Sequence, residues 1–116
     1  MRVFMIAVVI SAGNLLAGSA LAADAAAGEA KFKQLCATCH GPTGQGDGPA
    51  SAALNPSPRD MSDAEWQASV DDEHLKTVIT QGGAAVGLAP TMTAFGHALK
   101  GDDLDNVIAY IRSLDD

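Results

Sequence analysis

Aromatic side chains are scarce in this sequence: three Phe, one Trp and one Tyr among 116 residues. Phe4 lies in the apolar start of the chain, so only Phe32, Trp66, Phe95 and Tyr110 are left to fill a core. Much of the hydrophobic share is alanine. A domain this small with so few large apolar side chains is marginal by surface-to-volume scaling and needs a staple. Disulfides do not supply it. Cys36 and Cys39 are the only cysteines, and a bridge between them would close too short a loop to constrain the chain. Basic residues are also few, 7 against 14 acidic ones. The resulting charge of −7 argues against nucleic acid and anionic membrane surfaces, and is compatible with a partner that presents a basic patch. No stretch alternates with a period of two over five residues, which excludes a sheet, and neither repeats nor an interdomain linker is visible.

What is present begins with an export signal. Arg2 gives a positive start, an apolar run follows from Val3 to Ile10 and weakens through Leu15, Leu16 and Ala17, and Ala20-Leu21-Ala22 forms a small-x-small cleavage box. Residues 1–23 are therefore expected to be a signal peptide and 24–116 one domain. The alternative is an uncleaved anchor, against which Gly13 and Asn14 interrupt the apolar run.

The domain reads as all-α with long connecting loops. Asp24 can cap a helix from Ala25 to about Cys36, with Phe32, Leu35, Cys36 and Cys39 on one face, stopped by Gly41. Gly41 to Asp60 has no period. A structureless stretch of that length in a compact domain is often functional or wraps something, and 50–54 fits a single helical turn. Ser62 to Glu65 fits a capping box before Trp66. Asp71 begins a helix striped by Leu75, Val78 and Ile79 and ended by Gly82-Gly83. The last helix starts near Gly101-Asp102-Asp103 and carries Leu104, Val107, Ile108, Ile111 and Leu114 on one stripe.

Cys36-Ala37-Thr38-Cys39-His40 is a chemical specification. Two thiols at i and i+3 can each add to one vinyl group of a single porphyrin, and a histidine on the same turn can coordinate its iron. The pattern reads as attachment of one covalent haem c. A redox dithiol would require a βαβ setting, and structural zinc a second ligand pair, and neither is visible. The sixth ligand has four candidates. Met92, in a loop with Pro90 and two threonines, has no obvious packing role. His97 is its main rival, Met61 can be a core filler, and His74 reads as a surface residue. Gly44-x-Gly46-x-Gly48 follows no strand and lacks a lysine, which excludes a phosphate loop.

With these motifs in place, the chain resembles the class I cytochromes c, in particular small bacterial monohaem ones. The resemblance covers nearly all of 24–116 and implies the cytochrome c fold, three to five helices wrapped around the haem. It further implies that Gly28 and Phe32 on the first helix cross Val107 and Tyr110 on the last. Pro90-Thr91-Met92-Thr93-Ala94-Phe95-Gly96 is similar to the family's methionine loop, with Thr93 where proline is common. By the same resemblance the Pro49 carbonyl accepts the ring N–H of His40, and iron is held by His40 and Met92. Arg59 or Trp66 could reach a haem propionate, and Thr38, Thr91, Thr93 and Ala94 would rim an exposed haem edge. The implied function is that of a monomeric periplasmic electron carrier, not an enzyme, exchanging electrons with redox partner proteins and without stable membrane insertion after signal cleavage. Alternatives are a haem enzyme or gas sensor with a displaceable sixth ligand, and a subunit of a larger redox complex.

Overall fold

The computed structural model describes residues 22–115, and the expected signal peptide lies almost wholly outside them. Five α-helices make up the fold: α1 (Ala25–Leu35), α2 (Ala37–His40), α3 (Ala64–Ser69), α4 (Asp72–Gln81) and α5 (Asp103–Ser113). Two 3₁₀ turns, Ser51–Ala53 and Gly83–Val86, lie in the connections, and no strand occurs among the described residues.

Side chains and glycines set the helix ends. Asp24 accepts hydrogen bonds from the N–H groups of Ala26 and Ala27 and so starts α1. Asp71 does the same for α4 through His74 N–H, and Gly82, at φ +89°, ends it. The start of α3 differs from the sequence expectation. Asp63, not Ser62, is the cap and accepts from Glu65 N–H. Ser62 is already engaged, because its N–H and hydroxyl both donate to Asp60.

α1 and α5 form the frame. They cross where Gly28 meets the Asn106 carbonyl, so closely that a Cβ on Gly28 would lie 2.9 Å from Val107 N and deeper still into that carbonyl. Phe32 and Tyr110 pack edge to face at 5.1 Å in the crossing, and Val107 and Ile111 are fully buried behind them. The expected residues therefore meet at the expected crossing. The Tyr110 hydroxyl donates to the Pro42 carbonyl at 2.7 Å, tying α5 to the loop after His40.

Arg112 ties α5 to the α3–α4 corner. Its guanidinium donates to the Gln67 and Val70 carbonyls, to Gln67 Oε1 and to Asp72. Gln67, the one buried polar side chain among the described residues, donates in turn to the carbonyls of Met61 and Ile111. Both amide N–H groups and the carbonyl oxygen of the buried Gln67 side chain are thus paired, and an unmet one would be costly.

Candidate functional site

The carbonyls at the end of α2 have no helical partners of their own and are satisfied by the glycine-rich loop that follows. Gly46 N–H donates to His40 at 2.8 Å, Gly48 N–H to Cys39 at 3.2 Å and Ala50 N–H to Thr38 at 2.9 Å. Gly48 lies so near the Ala37 and Thr38 carbonyls that a Cβ would not fit. The loop therefore clamps the turn that carries both thiols and His40.

A second clamp holds the loop of Met92. Gly83 N–H donates to the Met92 carbonyl at 2.8 Å. Phe95 and Gly96 N–H donate to the Ile79 and Thr80 carbonyls, replacing the helical donors that α4 lacks at its C-terminal end. A Cβ on Gly83 would press into the Ala89 carbonyl and lie 3.2 Å from Met92 Cβ. Gly82-Gly83 thus ends α4 and also seats the methionine loop.

Between the two clamps lies a cavity of about 440 Å³. Cys36, Cys39 and His40 line it from α1 and α2, Met92 from the loop, and Leu75, Val78 and Ile79 from α4, with Phe32 and Ile111 at its floor. Both thiols are free and half-buried. Burial, and secondarily the neighbouring Cys39, push the Cys36 thiol up to about 11, so it is overwhelmingly protonated at neutral pH and no spontaneous nucleophile. Burial also lowers the pKa of His40, with the backbone of Arg59 partly offsetting it, and favours the neutral imidazole that a metal requires.

The fit to a haem is good on these observations. The volume is in the cofactor range of roughly 300–1,000 Å³, the wall is largely apolar, two thiols stand three residues apart, and a histidine and a methionine from another element line the same cavity. The buried Nδ1 of His40 has no hydrogen-bond partner. Pro49 is exposed and does not line the cavity; its neighbours Gly48 and Ala50 donate their N–H groups to the α2 carbonyls.

The other sixth-ligand candidates separate. Met61 is buried in the core and lines the cavity. His97 is exposed and outside the wall, whereas His74, read from sequence as a surface residue, lines the wall from the first turn of α4. The signal for His74 was there: it stands four residues before Val78 on the stripe. Arg59 and Trp66 line the cavity as well. Of the expected rim, Thr91 and Thr93 are exposed wall residues, while Thr38 and Ala94 are exposed but not part of the wall. The zinc alternative finds no support, since no three His, Cys, Asp or Glu converge among the described residues.

Comparison with known proteins agrees with this geometry. Residues 23–111 match a family model described as cytochrome c oxidase, cbb3-type, subunit III, and the chain belongs to this family of c-type cytochromes. It is a small class I monohaem cytochrome whose haem c is attached through Cys36 and Cys39. It is 37% identical over 97 residues to cytochrome c6 of Rippkaea orientalis, covering 84% of this chain and 77% of that protein. Its fold matches a solved structure, the KustC0563 c-type cytochrome, with a TM-score of 0.62 at 26% identity over 77% of this chain and 98% of the other. The protein is thus an electron-carrying haem protein that works with redox partners. No helix among the described residues is long and apolar enough to cross a membrane.

Proposed function

We propose that the protein is a soluble, monomeric periplasmic electron carrier in which His40 and Met92 would hold the haem iron. The observation that carries this reading is the convergence of both thiols, His40 and Met92 on one apolar cavity from three separate elements. When bound, the haem supplies a reversible one-electron iron couple. The chain's residues determine how that couple is used. His40 comes from the clamped turn of α2, and the burial that keeps its imidazole neutral keeps a lone pair available. Met92 is held at its carbonyl by Gly83, and a thioether in this position favours the reduced state. Were His40 and Met92 both to hold the iron, no open site would be left for a substrate, which supports a carrier over an enzyme or gas sensor. Phe32, Leu75, Ile79 and Ile111 exclude water from the cavity, and the exposed Thr91 and Thr93 mark where a partner approaches.

Residues 1–23 are proposed to be removed on export, leaving Asp24 as the N-cap of α1. The expected mature protein carries a near-infrared sulfur-to-iron charge-transfer band that disappears in Met92→Ala. Retention of the band in that variant, or its absence from the native protein, would sink the His40–Met92 assignment. A second reading, as a subunit of a larger redox complex, is favoured by the oxidase-subunit description of the matching family. Size exclusion of native extracts separates the two, since a free carrier elutes as a small monomer.

A further inference from the structure

A peptidase binds its substrate as an extended strand on both sides of the bond it cuts, and loosely held segments are cut first. The residues that follow the proposed cut after Ala23 are not loosely held. Asp24 N–H donates to Asn106 Oδ1 of α5 at 2.8 Å, a bond between residues 82 apart in sequence. The Asp24 carboxylate accepts from Ala26 and Ala27 N–H, and its carbonyl accepts from Gly28 N–H at 2.9 Å. Gly28 itself is seated against Asn106 and Val107, with no room for a Cβ. Ala22 and Ala23 share a groove with Asp105, Asn106 and Ala109 of α5. Ala22, Ala23 and Asp24 are all exposed, so exposure does not protect the bond. The hydrogen bonds of the residues just after it do.

We infer that the signal must be removed before the fold closes, because the crossing of α1 and α5 draws the residues after the cut into a helix anchored on Asn106. The inference rests on the removal of residues 1–23 proposed above. Phe32 of α1 and Ile111 of α5 both line the haem cavity, so a filled cavity holds the crossing shut.

The reaction is a hydrolysis. Water adds across the Ala23–Asp24 peptide bond, the C–N bond breaks, and a carboxylate on Ala23 and an ammonium on Asp24 result. In the folded chain this bond reaches a peptidase only when the first turn of α1 unwinds, so cutting follows the population of that opened state. A chain cut before it folds becomes the free carrier. A chain that closes around its haem first keeps residues 1–23 and their apolar run. The free and the anchored forms are thus the two products of one race between hydrolysis and folding.

The test uses the full 116-residue precursor, accumulated with its haem in a maturing host under a signal-peptidase inhibitor and then purified in detergent. It is incubated with purified bacterial signal peptidase beside a haem-free Cys36→Ser/Cys39→Ser precursor, and loss of the signal is followed by mass spectrometry. The haem-loaded chain should be cut more than about tenfold more slowly than the haem-free one. Haem-loaded Asn106→Ala should be cut about fivefold faster than haem-loaded native protein, the usual net worth of one hydrogen bond. Asn106→Asp, which keeps an acceptor oxygen, should stay near the native rate. In the haem-free background both Asn106 variants should be cut like their parent. Equal rates for haem-loaded and haem-free native precursor would overturn the inference, as would an Asn106→Ala effect of the same size in both backgrounds. A haem-free precursor that is not cut at all would instead overturn the reading of residues 1–23 as a removable signal.

Discussion

Replacing Gly28 by alanine sets two effects of opposite sign against each other. In an exposed helix interior the change stabilises by up to about 1 kcal/mol, because alanine loses less backbone freedom than glycine. Here the new Cβ would stand 2.9 Å from Val107 N and collide with the Asn106 carbonyl, and both are backbone atoms that cannot rotate away. α1 and α5 would have to separate by more than about 1 Å, loosening the Phe32–Tyr110 contact and the packing of Val107 and Ile111. Overpacking alone costs about 1–3 kcal/mol, and lost contact across the crossing adds to it. The clash wins, with a net loss of about 2 kcal/mol, equivalent to a fall of about 10 °C in Tm for a domain of this size. Thermal unfolding of the oxidised holoprotein, followed by far-ultraviolet circular dichroism, reads this directly. Gly28→Val should fall further. A Gly28→Ala protein that melts at or above the native temperature would refute the close crossing.

Arg112→Ala should cost about 2–3 kcal/mol, because it leaves the Gln67 and Val70 carbonyls without their charged donor; Arg112→Lys should recover only part of it, as measured by denaturant unfolding. Gly83→Ala should weaken the near-infrared band with little loss of helix content, since its Cβ would press on Ala89 and on Met92 itself. Asp60 is held below its ordinary value of 3.8 by the Ser62 hydroxyl and N–H. A depressed carboxylate stabilises above its unfolded pKa and loses that contribution as pH falls through the folded one. Acid unfolding below about pH 4 should therefore be shallower in Asp60→Asn. Haem-free protein should show little helix by circular dichroism, since the 440 Å³ cavity sits where a core would be.

Local signals accounted for most of the fold. Asp24 and Asp71 cap the helices they were expected to cap, and Val107, Ile108 and Ile111 are buried as their spacing indicates. These are features of nearest neighbours along the chain. The Ser62 cap failed because Asp60, two residues away, competes for the same serine and leaves Asp63 to start α3. The Arg112–Gln67 network was not legible, as its partners lie more than forty residues apart and no periodicity marks them. At the site, the two thiols, His40 and Met92 could be proposed from sequence because they stand in motifs. The roles of His74 and His97 were exchanged. Both are isolated histidines, and only the packing of α4 against the cavity tells which one faces inward. Pro49 was carried over by resemblance, and the hydrogen bonds of its neighbours Gly48 and Ala50 to the α2 carbonyls carry no signal in the sequence pattern.

The covalent haem on the α1–α2 turn bears every other conclusion. Tryptic digestion of protein secreted by a host that matures such cytochromes, followed by mass spectrometry, should give a coloured peptide from Gln34 to Arg59 that carries the mass of one haem. The same peptide with two free thiols, or pigment that passes into acidified organic solvent, would contradict the assignment.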